Sequence, residues 1–167
     1  MTFLENFIDD YPNFPKTGIL FKDILPILQN PSVFSKLIKD MAKWDVYKQC
    51  DAIIAIDARG FIFGSAIAFH LSKPLILARK SGKLPGEILE QTYQLEYGND
   101  SLAIQKKALN RFEKFIIVDD LLAKGGTVSC VVDIVSSINK RILGLSVVVE
   151  LKELNGKEKF NFPVDSQ

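Results

Sequence analysis

Short, nearly continuous runs of aliphatic residues recur along the chain, separated by longer stretches with apolar residues at helical spacing. The apolar runs are residues 52–56, 74–78, 115–119 and 144–151. Runs of this kind are typical of strands that are buried on both faces of a parallel sheet. Because strands and helices alternate, the pattern predicts an α/β fold with a mostly parallel central sheet flanked by helices.

Helical spacing is clearest in three segments. They are residues 32–44, 61–71 and 128–138. We expect Ser32 to cap the first helix, because its hydroxyl can accept a hydrogen bond from a backbone N–H of the first turn. A further short helix is predicted over residues 2–9, with Thr2 as its cap and Glu5 three residues later.

A basic loop and a predicted hairpin follow the second apolar run. Residues 93–98 and 102–105 read as two strands joined by a turn. The loop before them carries Arg79, Lys80 and Lys83. Such a loop could fold over a charged substrate, or it could be a solvated basic turn. The polar tail, residues 152–167, is expected to pack loosely or against another subunit.

The third apolar run leads into the most informative stretch, FIIVDDLLAKGGTV. Asp119 and Asp120 end the predicted strand, and residues 123–127 turn the chain into a helix. Glycines allow a close backbone approach, and the N–H groups at the start of a helix favour an anion. The two carboxylates would repel a phosphate but can accept bonds from ribose hydroxyls. The stretch predicts a ribose-phosphate site; the alternative is an ordinary turn beside two solvated aspartates.

A second charged turn, DARG at residues 57–60, follows the first apolar run. In parallel sheets, ligands gather beyond the carboxyl ends of the strands, so both turns are expected at one edge of the sheet. The guanidinium of Arg59 can bind two oxygens of a diphosphate at once. The alternative is that Arg59 forms a local ion pair with Asp57.

Composition narrows the classes of partner and compartment. The 167 residues suggest one domain, and the net charge of +1 gives no field for binding nucleic acid. No apolar run is long enough to span a membrane, and the acidic N-terminus does not resemble a signal peptide. Two cysteines suit buried thiols in a reducing, cytoplasmic setting, and the single histidine argues against structural zinc.

Three separate motifs carry a family resemblance. FIIVDDLLAKGGTV closely resembles the phosphoribosyl-diphosphate (PRPP) motif of type I phosphoribosyltransferases, with Lys124 where threonine is usual. FPKTGILFKDILPIL resembles the base-recognition region of the adenine phosphoribosyltransferases in that family, with Lys22 where arginine is common. KLPGE and LEYG resemble the flap of the same proteins. The three motifs occur in the family's order over most of the chain.

The resemblance implies a type I phosphoribosyltransferase fold, with a base-recognition region over residues 1–30 and a flap hairpin over residues 79–106. It implies an enzyme of purine salvage, a homodimer, that transfers phosphoribosyl from PRPP to adenine and releases AMP and diphosphate. The implied catalytic residues are Glu96, Asp119, Asp120 and Arg59. The implied substrate-binding residues are Ala123, Lys124, Gly125, Gly126, Thr127, Arg79, Lys80, Lys83, Leu20, Phe21, Lys22 and Tyr97.

The implied reaction assigns a task to each group. The aspartates would hold the ribose as its ring becomes cationic, and the cations would gather on the leaving diphosphate. Mg²⁺ would bind through the diphosphate and water, with no direct protein ligand. Glu96 would take the proton that the purine loses. Three alternatives remain at this stage: a phosphoribosyltransferase for another base, a PRPP-sensing regulator without activity, and a generic nucleotide-binding domain.

Overall fold

A seven-stranded sheet is the centre of the computed structural model, which describes residues 3–94 and 99–167. The strands are β1 Asp9–Pro12, β2 Leu20–Asp23, β3 Ala52–Ile56, β4 Leu75–Lys80, β5 Ile88–Gln94, β6 Asn99–Gln105, β7 Lys114–Leu122, β8 Arg141–Glu150 and β9 Val164–Ser166. The helices are α1 Leu25–Gln29, α2 Pro31–Ala42, α3 Gly60–Leu71, α4 Lys106–Leu109 and α5 Gly126–Ser136. Short 3₁₀ turns occupy Glu5–Phe7, Asp45–Gln49, Lys152–Leu154 and Gly156–Lys159.

The strand order in the sheet is β5-β6-β4-β3-β7-β8-β9. From β4 to β9 the neighbouring strands run parallel, while β6 pairs antiparallel with both β4 and β5. Strands β1 and β2 form a separate antiparallel pair. The predicted α/β architecture with a mostly parallel sheet is therefore confirmed.

Two hydrophobic clusters cover the two faces of the sheet. Along β7, Phe115 and Ile117 point into the cluster beneath α5, and Ile116 and Val118 point into the cluster beneath α2 and α3. This alternation is the period-two geometry of a strand, and it explains why the run is apolar at every position. Burial of both faces holds β7 in place, and its carboxyl end carries the predicted ribose-phosphate motif.

Close packing fixes helix α3 against the sheet. A Cβ atom built on Gly64 would lie 2.5 Å from the Cβ of Ala55 in β3, which is far inside normal contact. Only a glycine lets the helix approach the strand this closely. The approach also fixes the start of α3, where the DARG turn enters the helix.

Some predicted boundaries are wrong. Ser32 does not cap α2, because the helix begins at Pro31 and the side chain of Asn30 accepts the hydrogen bond from the Val33 amide. The predicted helix over residues 2–9 is only a 3₁₀ turn from Glu5 to Phe7, and Thr2 lies outside the described residues. The hairpin strand predicted at residue 93 already begins at Ile88.

Other expectations from the sequence are confirmed. Cys50 and Cys130 are both buried as free thiols. His70, the single histidine of the sequence, lies in the last turn of α3. Across residues 3–94 and 99–167, we find no helix with the length and apolar character needed to span a membrane.

Candidate active site

A glycine loop joins β7 to α5 and forms one wall of an open cavity. Gly125 precedes the helix with a φ of +77°, in the left-handed region that favours glycine. The cavity measures about 640 Å³ and is lined by Tyr93, Leu121, Leu122, Ala123, Lys124, Gly125, Gly126, Thr127, Leu154 and Lys159. The first N–H groups of α5 have no acceptor within the helix, so this end of the cavity favours an anion.

The acidic pair lies inside β7 and not after it. Both Asp119 and Asp120 are only 7 % exposed, which contradicts the alternative of two solvated aspartates. An oxygen of Asp119, Oδ1, accepts a hydrogen bond from the backbone N–H of Asp120. Burial, and next the charge of Asp120, raise the pKa of Asp119 well above its usual range. Two carboxylates are thus held together at the mouth of the glycine loop.

Arg59 reaches across to this acidic pair. Its Nη2 atom lies 2.8 Å from Oδ2 of Asp120, so the local Arg59–Asp57 pair considered above does not form. The contact lacks hydrogen-bond alignment, and Oδ2 of Asp120 is a buried acceptor with no hydrogen-bond donor in the described part of the chain. The guanidinium also lies 5.3 Å from the ring of Phe21. Arg59 therefore connects the segment around Phe21 to the acidic pair.

The basic loop is tied to the DARG turn by Asp57. Its Oδ2 atom accepts hydrogen bonds of 3.4 Å from Nε of Arg79 and from the backbone N–H of Lys80. Arg79 also donates from Nη1 to the carbonyl oxygen of Lys83, at 3.4 Å. The Asp57–Ala58 peptide bond is cis. These contacts bring Arg79 and Lys80 to the edge of the sheet that carries Arg59.

The predicted base-recognition residues lie on β2. Lys22 pairs with Asp10 across the β1–β2 ladder, with Nζ 2.7 Å from Oδ1, so its side chain is already engaged. Leu20 and Lys22 line a separate cavity of about 630 Å³, next to the last residues of β8 and β9. Phe21 points elsewhere, toward Phe14 and Arg59. The structure therefore divides this trio between two surfaces.

Glu96 and Tyr97 lie outside the described residues, so their predicted roles gain no geometric support. The strands on either side of them are described. Strands β5 and β6 form an antiparallel ladder from Ile88–Gln105 to Gln94–Asn99. This ladder places Tyr93 in the wall of the loop cavity.

The C-terminal segment supports the glycine loop from behind, so the prediction of a loosely packed tail is wrong. A Cβ on Gly156 would lie 2.0 Å from the carbonyl oxygen of Ala123, and one on Gly125 would lie 3.0 Å from the ring of Phe160. Strand β9 then adds to the edge of the sheet beside β8. The tail therefore shapes the site directly.

Comparisons with known proteins fit this geometry. The family model described as "Phosphoribosyl transferase domain" matches residues 26–163. An adenine phosphoribosyltransferase of Prochlorococcus marinus (strain MIT 9312) is 55 % identical over 163 residues, which are 98 % of this chain and 96 % of the relative. This chain belongs to the adenine phosphoribosyltransferase family.

Solved adenine phosphoribosyltransferases share the whole architecture. The enzyme of Thermoanaerobacter pseudethanolicus superposes with a TM-score of 0.91 at 40 % identity, over 98 % of this chain and 95 % of that one. The Saccharomyces cerevisiae enzyme, complexed with an imino-altritol bisphosphate and adenine, gives 0.88 at 39 % identity, over 98 % and 95 %. The expected type I phosphoribosyltransferase fold is therefore confirmed.

Within this adenine phosphoribosyltransferase fold, three contacts escaped the sequence analysis. Asp57 was considered only as a partner of Arg59, yet it holds Arg79 and Lys80. Tyr93 was assigned to a strand but not to the cavity. Gly156 gave no signal at all, because its contact with Ala123 joins segments that are distant in sequence.

Proposed function

We propose that this protein transfers phosphoribosyl from PRPP to adenine and releases AMP and diphosphate, as an enzyme of purine salvage. The observation that carries the proposal is the buried Oδ2 of Asp120, three residues before the glycine loop, which lies 2.8 Å from Nη2 of Arg59 and accepts no hydrogen bond from the described residues. An anion cradle that follows a carboxylate with unused hydrogen-bond acceptor capacity suits a sugar that carries both a phosphate and free hydroxyls.

The 5-phosphate of PRPP would bind at the glycine loop. Residues 123–127 line the cavity, and the amide groups at the start of α5 would donate to the phosphate oxygens. Lys124 is exposed at the loop and would add a cation in place of the hydroxyl of the usual threonine. These contacts would fix the position of the sugar.

The acidic pair would hold the ribose hydroxyls. As the bond at the anomeric carbon breaks, positive charge builds on the ring, and two nearby carboxylates favour that charge. The pair acts from within a rigid strand, since β7 is buried on both faces. Rigid placement avoids a reorganisation cost in the transition state.

The leaving diphosphate would lie at the cationic edge formed by Arg59, Arg79, Lys80 and Lys83. Among the described residues no cluster of three or more His, Cys, Asp or Glu side chains forms a protein cage for a metal. Mg²⁺ would arrive on the diphosphate and keep several of its waters. When bound, Mg²⁺ would neutralise charge on the departing diphosphate.

The base would contact the region of residues 20–22. Because the Lys22 side chain pairs with Asp10, the main chain of this residue is left to contact the base. The aromatic ring of Phe21 and the guanidinium of Arg59 would offer flat surfaces to a purine ring. By family resemblance, Glu96 remains the candidate proton acceptor and Tyr97 a candidate contact.

The broader setting follows the same resemblance. We propose one domain, with base recognition in residues 1–30 and a flap in residues 79–106, which acts in the cytoplasm as a homodimer. Phe69 on α3 is 88 % exposed, and an aromatic side chain of this kind suits a subunit contact. Sedimentation of the wild-type protein against a Phe69→Ser variant tests the assembly.

A coupled assay for diphosphate release tests the activity. With PRPP and Mg²⁺, adenine should support turnover, whereas hypoxanthine, guanine, xanthine and orotate should not. Asp120→Asn should lower kcat about a hundredfold, the usual cost of removing one stabilising charge from a transition state. Asp45→Asn, which alters an exposed carboxylate, is the matched control. PRPP binding without product would indicate a regulator, and turnover of hypoxanthine would refute the proposed role of residues 20–22 in base recognition.

A further inference from the structure

A carboxylate on the hairpin holds the ammonium group of Lys80. Lys80 is the last residue of β4, and its Nζ lies 3.0 Å from Oδ2 of Asp100 on β6. Tyr93 stands directly opposite Asp100 in the β5–β6 ladder, and its hydroxyl donates to the same oxygen at 3.4 Å. We refer to these three residues as the Lys80–Asp100–Tyr93 cluster.

The cluster connects two parts of the proposed site. Lys80 belongs to the cationic edge, and Tyr93 lines the loop cavity together with residues 121–127. The Lys80 ammonium holds the pKa of Asp100 below its usual range, so this carboxylate is charged at neutral pH. Burial and the nearby Asp100 raise the pKa of Tyr93 to about 12, so its hydroxyl remains a donor.

We propose that Asp100 is a positioning residue that competes with the diphosphate group for Lys80. The inference rests on the proposed function, because it takes Lys80 as a ligand of the diphosphate. To contact the diphosphate fully, the ammonium must leave the Asp100 carboxylate. A carboxylate that stays nearby repels the incoming anion. As the product departs, Asp100 can take the ammonium back.

The partial exposure of the pair sets the size of the effect. The Lys80 side chain is 56 % exposed and that of Asp100 is 25 % exposed, so water screens their attraction. Exposed pairs of this kind change an equilibrium by about twofold to fivefold. The competition therefore adjusts diphosphate affinity without preventing catalysis.

Removing the charge of Asp100 while keeping its shape gives the most direct test. Asp100→Asn leaves an oxygen that can accept from Tyr93 but no longer attracts Lys80. The KM for PRPP and the inhibition constant of diphosphate should both fall about twofold to fivefold, and the KM for adenine should stay unchanged. The difference in the two diphosphate-dependent constants between Asp100→Asn and the wild type should shrink at high salt. Asp100→Glu, which keeps the charge, should remain near the wild type.

A matched control breaks a different ion pair near the same hairpin. Glu87 lies just before β5, and its Oε1 is 2.7 Å from Nζ of Lys106. Glu87→Gln removes that attraction without touching the cluster. Both diphosphate-dependent constants should therefore remain at their wild-type values in this variant.

A double-mutant cycle shows whether Asp100 acts through Lys80. In a Lys80→Gln background, Asp100→Asn should tighten diphosphate binding less than it does in the wild-type background, as measured by calorimetry with Mg²⁺. Unchanged or weaker binding in the single variant would overturn the proposal, as would equal effects in both backgrounds. Failure of the wild type to form AMP would instead refute the proposed function, and the calorimetric cycle would still decide the question of Asp100.

Discussion

Replacing Asp119 with asparagine should make the protein more stable and less active at the same time. The carboxylate is buried in β7, and burial raises its pKa well above the usual range. Holding it ionised at neutral pH therefore opposes folding. Asp119→Asn removes that charge, keeps an oxygen that can accept from the Asp120 amide, and offers an N–H₂ group to the neighbouring Asp120 carboxylate.

The sign of the pH dependence follows from the direction of the pKa shift. The folded protein holds the Asp119 proton more tightly than the unfolded chain does. The stabilisation from this group is therefore complete below about pH 3.9, the pKa of an unfolded aspartate, and is lost as pH rises through the folded-state pKa. The Asp119→Asn variant has no ionisable group at this position, so its stability does not fall with pH for this reason. Its advantage over the wild type should grow with pH and be largest at neutral pH and above.

The expected magnitudes are modest for stability and large for activity. Single stabilising substitutions commonly gain about 0.5–2 kcal/mol in the free energy of unfolding, and we expect a gain of this size when the buried charge is removed. For a chain of this size each 1 kcal/mol moves Tm by about 2–4 °C. Turnover should fall about a hundredfold, because a charge that favours the cationic ribose is lost.

Two measurements test the effects of Asp119→Asn on stability and on activity. Urea unfolding from about pH 5 to about pH 8 gives the stability difference, and diphosphate release gives kcat. Asp165→Asn is a control for a partly buried aspartate outside the site, since burial also raises the pKa of Asp165. A variant that is less stable at every pH would refute the electrostatic reasoning. Undiminished kcat would remove Asp119 from the mechanism.

Three further predictions follow from packing and from the glycine loop. Gly64→Ala should lower the free energy of unfolding by about 1–3 kcal/mol, because its Cβ would overlap Ala55. Ser65→Ala, on the exposed side of α3, should have little effect. Thermal unfolding of the two variants gives the comparison. Lys124→Thr should restore the usual loop with little loss of PRPP affinity, and a collapse of affinity would contradict that view. Gly156→Ala should raise the KM for PRPP more than that for adenine, since its Cβ would displace the carbonyl of Ala123; equal changes would indicate general misfolding.

The centre of the fold could be predicted because β3, β7 and the middle of β8 are buried on both faces. Residues 52–56 read as a strand, and β3 has those bounds. The end of β7 could not be read in the same way. Its pairing with β8 continues through Leu122–Glu150, so the strand runs past Asp119 and Asp120. The extension of β7 depends on its pairing with β8, which no local sequence pattern indicates.

At the start of α2 the local sequence signal was present but was assigned to the wrong residue. Pro31 is typical of the first position of a helix, which points to Asn30 as the cap in preference to Ser32. Ion pairs across the site differ from helix caps, because they join residues that are distant in sequence. Asp57 lies two residues from Arg59 in sequence, but in the structure Arg59 pairs with Asp120 of β7. Ion pairs of this type depend on tertiary packing and cannot be read from spacing.

The contact between Gly156 and the loop at Ala123 has a consequence for biosynthesis. Translation runs from the N-terminus, so the segment around Gly156 leaves the ribosome after the glycine loop that it contacts. A premature stop codon shortly before residue 156 would leave the acidic pair and glycine loop intact in sequence but unsupported in space. A nascent or truncated chain should therefore gain its affinity for PRPP only after the segment around Gly156 has been added.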